Sequence, residues 1–318
     1  MTSDDLLAAA RATAVDQRGL ISAQQCAQLG LSSDWLTSLV RRGQWQRVTR
    51  GVYDTTPGQV DRVVDPTAWR LRSVWLSLLA YGPDAIAVGG CALAMHGVWG
   101  LPIDLTPEAA LPRAHYARCR DGIRLRRFDN GMTTTVVDGR RVATMDYALA
   151  QAIPEMARET AICVLDSALH LGLLRRSELR RVRHLVRGRR GAKRTHPWWA
   201  LVDGRAQSPI ETRARLIYHD VGLPPDTLQL PLLGARGQIV GYGDLAWRRP
   251  WGGWLVVEMD GSEYHSGPAA LFRDRARQNE AVATGEVTMI RYTGSDLWRP
   301  EEMVSTVRSL LRAGPLAA

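Results

Sequence analysis

Lysine is almost missing from this chain. Lys193 is the only lysine among 41 lysine and arginine residues in a length of 318. Any chemistry that needs a lysine amine must therefore use Lys193 or do without it. Cysteine is scarce too, with four residues whose wide spacing excludes a disulfide framework and a zinc site of the usual pattern. We interpret all four as small core residues, at Cys26, Cys91, Cys119 and Cys163.

A long, unbroken apolar run is also missing. The longest uncharged stretch, residues 85–103, contains four glycines and Pro102, which argues against a helix that spans a bilayer. The first turns of the chain carry Asp4, Asp5 and Asp16 and lack the apolar segment of a secretory signal. The sequence therefore predicts a cytoplasmic protein that does not engage a membrane.

Basic charge is what the chain has in excess. The formal net charge is +9, with 45% hydrophobic and 23% charged residues. This is the composition of a globular protein with a polyanionic partner, and nucleic acid is the partner it favours. The length and the changes in composition predict a mixed α/β protein in three parts, residues 1–58, 59–200 and 201–318.

The first part has the order of a winged helix-turn-helix. Three short helical patterns, the third capped by serine, precede two strand-like runs at residues 45–48 and 51–53. Such a helix can enter the major groove of double-stranded DNA, while arginines at its end and on the wing contact phosphates. The same module also serves in protein binding, and spacing alone leaves that alternative open. The candidates for base contacts are Ser32, Ser33, Asp34 and Thr37, and those for phosphate contacts are Arg41, Arg42, Arg47 and Arg50.

The end of this part also resembles a known family. The run from Leu29-Gly30-Leu31-Ser32 through Arg41-Arg42-Gly43 to Arg50-Gly51-Val52-Tyr53 is similar to the N-terminal winged helix of AbiEi-type antitoxins. The resemblance covers roughly 50 residues. It implies that residues 1–58 bind promoter DNA and repress their own operon, and that a cognate toxin is a further partner.

The middle part, residues 59–200, is predicted to be mostly helical. Helical patterns cover residues 66–81 and 145–172, with a break at Pro154. The Gly89-Gly90 pair resembles the glycine pair of nucleotidyltransferases, and such an enzyme needs two carboxylates after it.

The glycine pair lacks that second carboxylate. Asp104 follows it, but Thr106 stands where the second acid is needed. The stretch also resembles the region after the winged helix in antitoxin-like actinobacterial proteins, where it is structural. We therefore interpret it as structural here, with His96 as a packed or helix-end residue.

Residues 175–194 are the most basic segment. Ten lysine and arginine residues stand there against one acid, Glu178, while interspersed leucines and valines give the segment one apolar face. A docked helix with a phosphate-binding surface is the prediction. If about six of these residues contact phosphates, the logarithm of the binding constant should fall with that of the salt concentration at a slope near −5. The DNA-binding candidates are Arg180, Arg183, Arg187 and Arg190.

The last part, residues 201–318, reads as α-β-β-β-α-β. Ser208-Pro209-Ile210-Glu211 opens its first helix as a capping box, and the second helix is predicted at residues 268–283. Three carboxylates at Glu211, Asp244 and Glu258 then lie on that first helix and on neighbouring strands. Carboxylate oxygens are ligands for Mg²⁺ or Mn²⁺, which activates water in metal-dependent nucleases. We expect Asp244 and Glu258 to be the metal ligands, with Glu211 as an accessory ligand or orienting group.

This set resembles the PD-(D/E)xK endonuclease superfamily, and in particular domains related to the very-short-patch-repair endonuclease. The resemblance rests on Gln229, Asp244-Leu245-Ala246-Trp247 and Glu258-Met259-Asp260-Gly261 followed by His265, over about 90 residues. It implies a catalytic set of Glu211, Asp244, Glu258, Asp260 and His265.

The chain departs from that pattern at one position. The superfamily has a lysine two residues after the glutamate, and this chain has Asp260 there, with no lysine anywhere after residue 200. Three interpretations stay open: Asp260 and His265 handle protons, a nearby arginine (Arg273, Arg275 or Arg277) supplies charge, or the site is catalytically silent. The main hypothesis is a Mg²⁺-dependent DNA endonuclease, and the alternative is an antitoxin-like transcriptional regulator. A structural protein without DNA would leave the basic segment unexplained.

Overall fold

The computed structural model describes residues 2–112, 119, 122–129, 131–261, 280 and 282–313. Over these residues the chain is a mixed α/β protein with three β-sheets, as the sequence predicted in this coarse form. It divides into two compact units, one of residues 1–157 with 172–197 and one of residues 158–171 with 198–318. No helix in the described ranges is long and apolar enough to cross a membrane.

The first unit begins with the segment expected to be a winged helix, and the observed elements fit that description. Its three-stranded sheet is antiparallel, in the order β1-β3-β2. The strand β1 lies where the first turn of the second helical pattern was expected. In chain order the elements are α1 (Ser3–Val15), β1 (Leu20–Ser22), α2 (Ala23–Gln28), α3 (Ser33–Arg41), β2 (Gln46–Thr49) and β3 (Val52–Asp54).

Local chemistry explains where these helices begin. The hydroxyls of Thr2, Ser22 and Ser32 each accept a hydrogen bond from the backbone N–H three residues later, which satisfies one of the free donors of a first turn. The apolar sides of the three helices then meet around Trp45, which is buried at the centre of this small core.

The rest of the first unit corrects the prediction of a mostly helical middle, because it contains a five-stranded mixed sheet of order β6-β5-β4-β8-β7. These strands are two to four residues long, too short for alternation to reveal them. One signal was present: Asp138-Gly139 has the positive φ angles of a tight hairpin turn. The strands are β4 (Ile86–Ala87), β5 (Glu108–Ala110), β6 (Arg124–Arg126), β7 (Thr134–Val137) and β8 (Arg140–Ala143).

The predicted helices of the middle part are confirmed. The helix expected at residues 66–81 is found at those bounds, and the expected break at Pro154 is a turn of 3₁₀-helix, Ile153–Glu155. The fourth of these helices belongs to the second unit. In chain order the helices here are α4 (Pro66–Tyr81), α5 (Gly89–Met95), for which no bounds were predicted, α6 (Met145–Ala152), α7 (Arg158–His170) and α8 (Leu179–Val186).

The second unit is built on a four-stranded sheet of order β12-β11-β10-β9. The strands β9, β10 and β11 pair in antiparallel fashion, and β12 is parallel to β11. The predicted strands are present. Of the helix predicted at residues 268–283, the described residues 280, 282 and 283 are helical, and the others lie outside the described residues. The elements are α9 (Pro209–Asp220), β9 (Thr227–Leu233), β10 (Ile239–Arg248), β11 (Trp254–Asp260), β12 (Val287–Thr293) and α10 (Pro300–Arg312).

One face of this sheet is covered by α9 and α10. Of these two helices, only α9 was predicted from the sequence. Tyr218 on α9 packs edge-on against Trp247 on β10, with ring centroids 4.9 Å apart. Met303 and Val307 of α10 join the same core. The core therefore fixes the start of α9 beside the strands that carry the predicted catalytic residues.

Candidate nucleic-acid interface and acidic centre

All eight residues expected to contact DNA from the winged helix are exposed. Two of them have hydroxyls that already serve the helix: Ser32 accepts from the Trp35 amide at 3.2 Å, and Thr37 donates to the Ser33 carbonyl at 2.9 Å. Each hydroxyl oxygen can still accept a hydrogen bond from a base. The set is Ser32, Ser33, Asp34, Thr37, Arg41, Arg42, Arg47 and Arg50.

The arginines of this segment lie at the end of α3 and on the wing. No acidic side chain pairs with Arg41, Arg42 or Arg47 among the residues the structure describes. Charge that is not neutralised from within can be neutralised by phosphates. The arrangement is that of a small basic face around one exposed helix.

The arginines of the basic segment 175–194 differ in whether they form ion pairs with acidic side chains. Three of its arginines form ion pairs with acids of the same unit: Arg175 with Glu178, Arg181 with Asp146 and Arg189 with Asp129. The four predicted DNA-binding residues, by contrast, are exposed: Arg180, Arg183, Arg187 and Arg190.

The glycine pair of the first unit is structural, as the sequence suggested. The amide of Gly90 donates to the carboxylate of buried Glu108 at 2.8 Å, and Arg126 pairs with that same carboxylate. Asp104 is not part of this network, since it is exposed and contacts Arg62 and Trp69. His96 lies at the end of α5 and contacts the carbonyl of Ala143 at 2.9 Å.

In the second unit, four polar residues form a row across all four strands. The pairs Leu228–Leu245 and Leu230–Gly243 place Gln229 opposite Asp244. Continuing the β10–β11 register by one residue from Leu245–Val257 places Asp244 opposite Glu258, and Glu258 pairs directly with Arg291. The row is therefore Gln229, Asp244, Glu258 and Arg291.

Glu211 joins the row from the first turn of α9. The side-chain amide of Gln229 donates to Glu211 Oε2 at 3.1 Å and to Asp244 Oδ1 at 3.2 Å, so one amide bridges two carboxyl groups. The second Asp244 oxygen accepts the backbone N–H of Met259 at 2.8 Å. Gln229 has φ of +53°, an unusual conformation for a residue with a side chain. The structure thus brings together two of the predicted catalytic residues, Glu211 and Asp244.

Burial raises the pKa of Asp244 from 3.8 to about 7, and the charge of Glu211 adds to the effect. Burial also raises the pKa of Glu211. Two carboxyl groups that share a donor in a region shielded from water cannot both ionise cheaply. The pair therefore favours keeping one proton near neutral pH, on Asp244 or Glu211.

The other predicted catalytic residues are placed differently. The carboxylate of Glu258 is buried, and its Oε2 lies 3.1 Å from Nε of Arg291. Asp260 is exposed at the end of β11, and His265 lies outside the described residues, as do Arg273, Arg275 and Arg277. The expected set is thus seen in part.

The two predicted metal ligands already have hydrogen-bond or ion-pair partners in this arrangement. The predicted ligands are Asp244, whose oxygens both accept N–H hydrogen bonds, and Glu258, which faces a guanidinium. Across the described part of the chain, no three histidine, cysteine or acidic side chains gather in a way that could hold a metal ion. In this arrangement Arg291 supplies the positive charge that a metal ion would otherwise supply.

Neither Gln229 nor Arg291 was given a role from the sequence, where both belonged only to the endonuclease resemblance. The Gln229 bridge depends on a backbone conformation, and the Arg291 pair depends on a parallel register between strands that are far apart in sequence. The alternation of β11 alone could not have indicated either contact.

Comparison with known proteins finds one matching family and two relatives of this chain. Residues 9–53 match the family described as transcriptional regulator, AbiEi antitoxin. Two proteins of Mycobacterium tuberculosis, uncharacterized protein MT2308 of strain CDC 1551 / Oshkosh and uncharacterized protein Rv2248 of strain H37Rv, are each 34% identical over 141 residues. The alignments cover 44% of this chain and 51% of each relative, so the chain spans about half the length of the curated relatives it matches.

Proposed function

We propose that this protein is a DNA-binding transcriptional regulator of the antitoxin type. The observation that carries the proposal is the exposed, basic α3 and wing within a segment that matches an AbiEi antitoxin family. In such a module the helix reads bases in the major groove of double-stranded DNA, and the arginines hold the phosphates. Ser33 and Thr37 are the base-reading residues, and Arg41 and Arg47 are the phosphate contacts. The family description supports a cognate toxin as a second partner.

Fluorescence anisotropy of the full-length chain tests this proposal. The probes are 40-base-pair duplexes tiled over the DNA upstream of its own gene, with a scrambled duplex of equal composition as reference. We expect one tile to bind at least about a hundredfold more tightly than the scrambled duplex, since specific binding typically exceeds non-specific binding by far more. Equal affinity for all duplexes would refute the proposal.

A paired substitution locates the site. Arg41→Gln/Arg47→Gln removes two charges from the winged helix, and Arg236→Gln/Arg312→Gln removes two exposed charges from the second unit. We expect the first pair to weaken binding to the preferred tile by at least about tenfold, and the second pair to have little effect. Equal losses in both would place recognition outside the winged helix.

We propose further that the acidic centre of the second unit is catalytically silent. The support is threefold: Arg291 pairs with Glu258, burial raises the pKa of Asp244 so that the Glu211–Asp244 pair favours keeping a proton, and the position of the usual lysine is Asp260. Supercoiled plasmid incubated with Mg²⁺ or Mn²⁺ should show no more nicking by the wild-type chain than by Asp244→Ala/Glu258→Ala. Cleavage that the double variant abolishes would restore the nuclease hypothesis.

A further inference from the structure

Four arginines lie in a line along α8 and its flanks, and we call them the arginine stripe: Arg176, Arg180, Arg183 and Arg187. The spacing of three and four residues places Arg180, Arg183 and Arg187 on one face of α8, and Arg176 precedes them. Arg176 belongs to the turn of 3₁₀-helix that precedes α8, and Arg187 is the residue at its C-cap. All four side chains are exposed.

The opposite face of α8 is docked. Val182 and Val186 are buried, and Leu179 and Leu185 are half-buried. Val182 and Leu185 fall across the helix from the stripe, and Leu179 and Val186 fall beside it. Arg181, on the flank, pairs with Asp146 of α6. The helix therefore has one orientation on its unit, and the stripe points to solvent.

The end of the stripe is held as well. Arg189 donates through Nη2 to Asp129 at 2.7 Å and through Nε to the Leu185 carbonyl at 2.9 Å, so the chain after Arg187 is tied back to the unit. Charged groups held on a rigid surface lose less conformational freedom on binding than those on a mobile tail.

Neighbouring arginines are neutralised from within, and the stripe is not. Arg175, Arg181 and Arg189 each have an acidic partner. In the described ranges, no acidic side chain forms an ion pair with any member of the stripe. Some arginines of this segment therefore stabilise the protein's own structure through ion pairs, and the arginine stripe has no such ion pair within the described residues.

The length of the row suits a nucleic-acid backbone. At about 1.5 Å per residue, the stripe spans roughly 16 Å. One strand of duplex DNA carries a phosphate about every 3.4 Å along the axis, so the stripe lies within reach of about four or five phosphates. Guanidinium groups are planar forks that bind phosphate oxygens in pairs, and they do not read sequence in doing so.

We propose that the arginine stripe is a second DNA-binding surface, which holds the phosphate backbone of duplex DNA without regard to sequence. It belongs to the same compact unit as the winged helix. For its choice of partner, the inference rests on the proposed function. The winged helix then provides sequence preference, and the stripe provides affinity that depends on salt.

Anisotropy titrations of the full-length chain over a series of KCl concentrations test the stripe, with the preferred upstream duplex and the scrambled duplex as probes. In Arg180→Gln/Arg183→Gln/Arg187→Gln, we expect the slope of log K against log salt to become less negative by about 2.7 on both duplexes. The ratio of the two affinities should stay as in the wild type. The matched control, Arg236→Gln/Arg308→Gln/Arg312→Gln, removes the same charge from α10 and the β9–β10 turn and should leave the slope unchanged.

Two further variants keep the test decisive. Arg180→Lys/Arg183→Lys/Arg187→Lys retains the charge and should retain the slope, and the single variant Arg183→Gln should shift the slope by about 0.9 even if the triple variant does not fold. An unchanged slope in the folded glutamine triple, or an equal change in the matched control, would overturn the inference. If the wild type binds the two duplexes with equal affinity, the winged-helix function is refuted. The comparison of salt slopes between variants would still test the arginine stripe.

Discussion

Replacing Asp244 by asparagine should stabilise the protein at neutral and alkaline pH. The substitution keeps the shape of the side chain and its capacity to accept the Met259 amide, and it removes a carboxyl group whose pKa is raised to about 7. An aspartate in an unfolded chain has a pKa of about 3.9. Between those two values the folded state binds more protons than the unfolded state, so the free energy of unfolding falls as the pH rises.

The size of the effect follows from the shift. A change of about three pKa units at about 1.36 kcal/mol each sets an upper limit near 4 kcal/mol at pH 8. Because Glu211 shares the proton, the asparagine variant relieves part of this, and we expect a gain of about 2 kcal/mol, or about 6 °C in Tm, at roughly 3 °C per kcal/mol. At pH 4 the wild-type carboxyl is protonated in the folded state and about half protonated in the unfolded state, so the two proteins should unfold at nearly the same temperature.

Thermal unfolding followed by circular dichroism at pH 4, 6 and 8 measures this. Glu301→Gln, which neutralises an exposed acid of α10 in the same unit, is the matched control and should show no comparable gain. A lower Tm for Asp244→Asn at pH 8, or a pH dependence as steep as that of the wild type, would refute the reasoning. If 5 mM MgCl₂ stabilises the wild type but not Asp244→Asn, then the Glu211–Asp244 pair binds a metal ion, because a ligand stabilises the folded state that binds it.

Three other substitutions probe the rest of the fold. Arg215→Ala leaves buried Asp166 without the guanidinium 2.8 Å away and should cost about 3–5 kcal/mol in urea unfolding; a loss below about 1 kcal/mol would mean that the pair is not a buried salt bridge. Gly89→Ala places a Cβ against the carboxylate of Glu108 at a positive φ and should lower Tm strongly, whereas an unchanged Tm would contradict this packing. Ser22→Ala removes an N-cap and should cost about 1 kcal/mol in urea unfolding, with no loss if the capping box contributes nothing.

Helix starts were readable from the sequence because their causes are local. Ser32 and Ser208 each cap a helix within three residues, and Pro66 begins α4 at the position where its missing N–H has no cost. The long strands of the second unit were readable for a related reason, since seven to ten residues suffice to show a pattern.

The sheet of the first unit was not readable, because its pairings are remote. β4 has two residues, and it pairs in parallel with β8 more than fifty residues later in the chain. No property of Ile86 or Ala87 indicates that partner. The Asp138-Gly139 turn was the one local signal, and it marks only the hairpin of β7 and β8.

The acidic centre was predicted by residue type and missed in its electrostatics. Strand patterns were enough to place Asp244 and Glu258 on neighbouring strands, where β10 and β11 pair. The neutralising partner of Glu258 comes from Arg291, which the parallel register of β11 and β12 brings alongside. A pattern of carboxylates therefore predicts where acids meet, but whether they bind a metal depends on cations supplied from elsewhere in the fold.

Because all but one of the basic residues are arginines, the number of basic residues in this sequence does not give the charge available for binding DNA. An arginine can bind a carboxylate through two nitrogens, as Arg158 does with Asp220 at 2.6 and 2.7 Å, whereas a lysine ammonium offers a single point of charge. Arginines in this chain consequently serve structure as well as surface. A count of basic residues overstates the phosphate-binding charge of segment 175–194, because Arg181 and Arg189 are tied to acids of their own unit. The alignment of unpaired guanidinium groups on one helix face, and not the net charge, is what predicts contact with DNA.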